Sequence, residues 1–431
     1  MEDYKIDLGD QPFKKMVLSS LPILSELLPD GCEKRWYKRA LAKIKIWGWN
    51  MPLYNGVYDS SNLFMKLFDP DVKAGDLKTA IAITAYIPTI DASVITYNMP
   101  LEKIGTNHPG GVLRPETMPH DNYRYDPNVP IWVLACQSSA IPFQFYNVPL
   151  LLPLNKEDQD HCSDSCTWYN FEGLGVDRKP WELTGRGLVG VHGGNATGFA
   201  VEDGAVTTNS GACAATYDRN TIIVSIYPVK KAEEIKFDSR WRWAQHKLFI
   251  GPIYQIIKAA LFLLTDSTAD KQQLFENRYM KIGNGFYLPT LITIDCAKTR
   301  NALKERNGRD YPDWKAFNQY DKETTHDIFE ESYSRAIKKV FATFSNDDLI
   351  RMGKERVSIC VSGGGAAAVD EVAYVAAILD AIHSKRDMSK ITSPDDMSLI
   401  NLLTGTSAGA LTALYFANLH DNYCNPKKDS D

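Results

Sequence analysis

The sequence has no excess of positive charge: 48 Lys and Arg stand against 53 Asp and Glu, a formal net charge of -5 over 431 residues. That excludes a global basic field of the kind that draws nucleic acid to a protein, so no nucleic-acid partner is expected. The most basic run, 33–45, is interleaved with Trp36, Tyr37, Leu41 and Ile44 and reads as an amphipathic helix with a solvated face. Cysteine is sparse. The eight present are scattered without the density of a disulfide-stapled secreted scaffold. Cys162 and Cys166 are close together, but a zinc site needs a second ligand pair at similar spacing and the sequence has none. Long apolar runs are lacking too; the best candidate, 256–264, is short and contains Lys258. The opening Met1-Glu2-Asp3-Tyr4-Lys5 is too polar for a secretory signal. These features predict a cytoplasmic protein that binds no metal.

What is present is enough apolar material, 44% of residues, for a large buried core. Apolar spacing is helical over 15–71, broken by Pro29 and Pro52. A strand region is expected at 77–90, its returning hairpin arm at 91–98, and a loop over 107–130. The short apolar run Ile131 to Cys136 is expected to be a buried strand. Polar, irregular sequence at about 155–197 reads as an insertion, either a lid or a surface loop. Further strands are predicted at 221–227, 357–361 and 398–404, and helices at 239–264, 321–344, 369–383 and 408–419. Strands alternating with helices indicate an α/β fold with a mostly parallel sheet.

Two glycine motifs sit at strand-to-helix junctions. Gly405-Thr406-Ser407-Ala408-Gly409 follows the run 398–404 and precedes a small-residue helix. This is the context of a nucleophile elbow, where a sharp turn exposes a serine hydroxyl at a helix N-terminus. The flanking Gly405 and Gly409 leave room for neighbouring backbone, and the helix end favours the charge that develops during attack. Ser362-Gly363-Gly364-Gly365 follows the strand 357–361. Its consecutive N–H groups can converge on one anion, as a phosphate loop or an oxyanion hole. No Gly-Lys-Ser/Thr follows, so it is not a Walker loop. The G-x-G-x-x-G at Gly185 to Gly190 lacks a preceding strand and reads as a chance match.

With these motifs the sequence resembles the patatin-like phospholipases. That family carries a Gly-rich oxyanion loop, then G-x-S-x-G, and much later an Asp-Gly block. Here the Asp-Gly block lies upstream, as Glu202-Asp203-Gly204-Ala205-Val206, followed by the strand at 221–227. Ala135-Cys136-Gln137-Ser138-Ser139-Ala140-Ile141-Pro142 resembles the family's small-residue segment before that block, and 78–86 an earlier core strand. The pieces keep the family's cyclic order, so the resemblance implies a circularly permuted three-layer α/β/α patatin-like fold. A single domain over 1–431 is implied: 1–235 with the Asp block, 236–354 a mainly helical connection, and 355–431 with the Gly loop and elbow.

The resemblance implies a Ser-Asp dyad, Ser407 as nucleophile and Asp203 as base, acting on lipid acyl esters without a cofactor. The N–H groups around Gly363, Gly364, Gly365 and Ala366 would bind the oxyanion. No histidine lies in a motif that completes a triad; His192 reads as a loop residue. Where the family usually has Lys or Arg and a further Gly after the triplet, this chain has Ala366-Ala367-Ala368. That departure weighs against a phospholipid headgroup and keeps a second class open, a structural or assembly protein with the same fold and little turnover. The aromatic, apolar stretch around Trp241, Trp243, Phe249 and Ile250 reads either as a core helix or as a surface for peripheral membrane contact.

Overall fold

The computed structural model describes residues 8–22, 61–87, 92–99, 121–140, 150–153, 196–199, 201–206, 222–228, 290–312 and 319–425. Its strands are β1 (Ile81–Ile87), β2 (Ala92–Tyr97), β3 (Asp121–Tyr125), β4 (Leu150–Pro153), β5 (Ala196–Phe199), β6 (Glu202–Asp203), β7 (Ile222–Pro228), β8 (Thr290–Ile294), β9 (Val357–Val361) and β10 (Ile400–Thr406). The helices that matter here are α1 (Pro12–Ser20), α2 (Ser61–Leu67), α3 (Ile131–Ser138), α4 (Cys296–Asn307), α5 (Lys322–Thr343), α6 (Asn346–Glu355), α7 (Ala368–His383) and α8 (Ala408–Cys424).

Eight strands form one mixed sheet, in the order β3-β2-β1-β10-β9-β7-β8, with β6 paired to β1. The run β1-β10-β9-β7-β8 is parallel throughout, whereas β2 and β6 are antiparallel to β1. The fold is α/β, as the alternating pattern predicts. β9 and β10, late in the sequence, lie between β1 and β7, so strands distant along the chain share the centre of one sheet. Every residue of β9 is buried, which is why it reads as a continuous apolar run rather than an alternating one.

The helices start where local chemistry favours it. Asp321 accepts the Thr324 N–H at 2.8 Å and caps α5, and Ser345 and Asp348 form a reciprocal capping box on α6. α5 packs along α7, and Lys339 on α5 donates to the Thr293 carbonyl on β8. α1 lies across α7 and α8. Both carboxylate oxygens of the buried Asp380 on α7 accept N–H groups from its first turn, Phe13 at 2.9 Å and Lys14 at 3.0 Å. The Phe13 ring stacks near His420 and Tyr423 of α8.

Two expectations are corrected. Ile131 to Cys136 is not a strand but the core of α3, whose eight residues are all buried. A helix enclosed on every side shows no polar face, so apolar periodicity cannot separate it from a buried strand. The region 107–130 is not all loop, because 121–125 forms β3 beside β2. The hairpin arm is found, as β2 antiparallel to β1. The antiparallel ribbon of β4 and β5 brackets the stretch read as an insertion. Apart from 196–197, that stretch lies outside the described residues, as do Cys162, Cys166, Gly185 to Gly190, His192 and the 239–264 helix. Among the described residues, no helix is long and apolar enough to cross a membrane, and no group of His, Cys, Asp and Glu could hold a metal.

Candidate active site

Sheet register brings the two motif residues together. β10 runs beside β1 as far as the pair Thr84 and Thr406, then leaves the sheet through Ser407 into α8. β6 takes up the same edge of β1 one residue further on, pairing Asp203 with Ala85 and Glu202 with Tyr86. The residue that follows Thr406 and the residue opposite Ala85 are therefore neighbours in space. The Ser407 hydroxyl donates to Asp203 Oδ2 at 2.7 Å, a bond that spans 204 positions of sequence. That length is ordinary for an O–H to oxygen bond.

The backbone of Ser407 is bent sharply. Its φ of 55° and ψ of -126° are unfavourable for a residue with a side chain, a strain of about 1–3 kcal/mol. Two glycines allow the bend. A Cβ on Gly405 would lie 2.3 Å from the Gly409 carbonyl oxygen, and one on Gly409 would lie 2.1 Å from the Val361 oxygen. Either is far inside van der Waals contact. The Ser407 carbonyl accepts the N–H groups of Ala410 and Leu411, so the residue caps α8 with its main chain while its side chain faces Asp203.

Asp203 is oriented from its own turn. Its Oδ1 accepts the Ala205 N–H at 2.8 Å, leaving Oδ2 toward Ser407, and its N–H donates to the Ala140 carbonyl at 2.9 Å. Gly204 is pressed on β1: a Cβ there would lie 2.4 Å from the Thr84 oxygen. Both members of the pair are buried, Ser407 at 7% and Asp203 at 3% exposure.

The glycine triplet is anchored beside them. Ser362 is tied to the Ile226 carbonyl of β7 through its N–H, at 3.1 Å, and its hydroxyl, at 2.6 Å. The chain then passes Gly363 and Gly364, reaches Gly365 with a φ of 64°, and tightens into a 3-10 turn, Gly365–Ala367, that leads into α7. Gly409 of the elbow packs on the Val361 and Ser362 carbonyls, so the two glycine motifs are in direct contact. Among the described residues, the N–H groups of Gly364 and Gly365 meet no hydrogen-bond acceptor. Ala367, within the departure from the family's pattern, is buried at 2% exposure.

Other polar residues near these turns carried no sequence signal. In the first turn of α7, Asp370 is fully buried and accepts from Arg300 at 2.6 Å, while Arg300 also donates to the Tyr320 hydroxyl at 3.0 Å. Burial works against the Arg300 guanidinium, but the Asp370 carboxylate more than offsets it and holds its proton above the usual range. This network braces the start of α7. His420, on α8, is also structural. Leu399 donates to its Nε2 at 3.0 Å, so its proton sits on Nδ1, facing Thr79 Oγ1 at 2.7 Å. Burial, with Arg356 and Arg386 adding to it, pushes its pKa down to about 3. Ser138 lies in the small-residue segment 135–142 noted above and is a hydroxyl at the end of an otherwise almost wholly apolar helix. That its hydroxyl accepts the Ser407 N–H, at 3.0 Å, could not be read from the sequence.

No family model, no curated protein and no solved structure matches this chain.

Proposed function

We propose that this chain is a patatin-like serine acyl hydrolase with its motif blocks in circularly permuted order, acting on acyl esters of lipids. The observation that carries the reading is the 2.7 Å bond from the Ser407 hydroxyl to Asp203, made at a strained turn between a central strand and a helix N-terminus. A serine held in that backbone conformation and aimed at a buried carboxylate is arranged for proton transfer rather than for stability.

In this mechanism Ser407 Oγ attacks the ester carbonyl carbon while Asp203 Oδ2 takes its proton. Negative charge passes to the carbonyl oxygen, where the N–H groups of Gly364 and Gly365 and the N-terminus of α8 stabilise it. Collapse breaks the bond to the alcohol, which leaves with the proton from Asp203. Water then attacks the acyl-serine, gives a proton to Asp203, and releases the acid as the proton returns to Ser407. Carboxylates are ordinarily weak bases, with pKa values near about 4, and removal from water is what raises basicity. Asp203 is nearly enclosed, at 3% exposure, with Oδ2 on the Ser407 hydroxyl.

The test is intact-mass labelling with a fluorophosphonate probe. One adduct on the native chain, absent from Ser407→Ala and strongly reduced in Asp203→Asn, is the expected result. A native chain that stays unlabelled, under conditions that label a known serine esterase, overturns the reading in favour of a structural protein.

A further inference from the structure

The small-residue segment at the end of α3 touches both halves of the dyad, and nothing in the mechanism above uses it. Ser138 is fully buried. Its hydroxyl donates to the Thr84 carbonyl of β1 at 2.7 Å and accepts the Ser407 N–H at 3.0 Å. Since its one proton is committed to Thr84, only a lone pair can face Ser407, and the direction of both bonds is set. Two residues on, the Ala140 carbonyl accepts the Asp203 N–H at 2.9 Å. The same Thr84 carbonyl is the surface on which Gly204 rests.

We propose that Ser138 is a positioning residue for the dyad, fixing the main chain of Ser407 relative to β1 and so setting its hydroxyl against Asp203. The Ser407 N–H lies where β10 leaves the β1 ladder, so it depends on a side chain for its partner. The backbone at Ser407 is strained and stays bent only while its surroundings hold it. The residue that holds it belongs to the same short turn that holds the Asp203 N–H, so one element references both reacting groups to β1. A dyad with two members on different elements needs such a common support, because small misplacements of reacting atoms are costly in rate.

This inference rests on the acyl hydrolase reading, and the experiment separates the two. The rate of fluorophosphonate labelling, and kcat and KM for p-nitrophenyl butyrate, are measured for the native chain, Ser138→Ala, Ser138→Cys, Ser139→Ala and Ser407→Ala, with a melting temperature for each. Ser139 is the control: it is buried beside Ser138, but its hydroxyl bonds to Ala135 of its own helix, at 2.6 Å. Ser138→Ala is expected to label about 30- to 100-fold more slowly, with kcat falling and KM nearly unchanged. Ser138→Cys, close in size and a weak acceptor, is expected to keep the fold and lose about tenfold; it decides the question if the alanine variant does not fold. Ser139→Ala is expected to stay within about twofold of native. Native labelling rates in either folded Ser138 variant overturn the inference and leave the hydrolase reading standing. A native chain that takes no adduct, like Ser407→Ala, overturns both.

Discussion

The turns that end β9 and β10 are both glycine-rich and both launch a helix, yet they are packed in different ways. At the β10 turn, a Cβ on Gly405 or Gly409 would run into backbone: the Gly409 carbonyl at 2.3 Å in one case, the Val361 carbonyl at 2.1 Å in the other. At the β9 turn, a Cβ on Gly364 would meet side chains, Glu371 Oε1 at 2.4 Å and Pro228 Cγ at 2.8 Å. The Glu371 carboxylate is the end of a flexible side chain, though the Pro228 ring is not, whereas the backbone of β9 and α8 has no such freedom. The β10 turn is therefore wedged between backbone of β9 and α8, while the β9 turn is held at Ser362 and abuts side chains beyond it. The contrast suits the roles proposed for them, a nucleophile that must not move and an anion loop that must close on its charge.

The largest effect is expected where backbone meets backbone. Gly409→Ala and Gly405→Ala should each cost on the order of 4 kcal/mol or prevent folding, read as a large drop in melting temperature or in soluble yield. If either variant melts within a few degrees of native, the β10 turn is not rigid and the comparison fails. Next comes the far end of α7, where Asp380 holds α1. Burial outweighs its hydrogen bonds from Phe13, Tyr333 and Lys14 and raises its pKa from 3.8 to about 6. A raised acid favours the folded state at low pH, so this contribution is complete below about pH 4 and lost as pH climbs through about 6, some 2–3 kcal/mol in all. Urea unfolding from pH 4 to 7 should show that fall, and Asp380→Asn should flatten it.

Smaller effects belong to the β9 turn. Gly364→Ala is expected to cost only about 1–2 kcal/mol of stability, while slowing fluorophosphonate labelling far more than that loss explains. Stability lost without any change in labelling would remove the turn from the proposed chemistry. Smallest is Gly365→Ala, which forces a side chain into the left-handed φ of 64° at about 1 kcal/mol. Gly365→Asn should recover part of it, since asparagine tolerates that conformation better.

Much of the region around β7, β9 and α7 was legible in advance. The expected strand 221–227 is β7 at 222–228, the strand 357–361 is β9, and the helix 369–383 is α7 with one added residue. β7 and β9 are short apolar runs rich in β-branched residues, and α7, at 16 residues, is too long an apolar run for a strand. α3 was missed because it is buried all round, and β3 because Asp121-Asn122-Tyr123-Arg124-Tyr125 is strand only through its pairing with β2. At the site, Ser407 and Asp203 were legible as motifs and their 2.7 Å bond was not. Chain order carries no distance, and the register of β6 on β1 that supplies it depends on tertiary structure. Ser138 and Arg300 depend on it too: each bonds partners remote in sequence, which local pattern does not encode.

The place of β9 and β10 in the sheet has a consequence for how the chain is made. The strands that flank them, β1 and β7, leave the ribosome more than a hundred residues earlier than β9. β7 keeps an unpaired, apolar edge until residue 361 has emerged, and β1 until residue 406, edges that the finished sheet hides in its middle. Pairing at the centre must also wait for contacts between segments far apart in sequence, which slows the search. The nascent chain is thus open to wrong strand partners until β9 and β10 appear, and these two strands act as the keystone that closes the sheet.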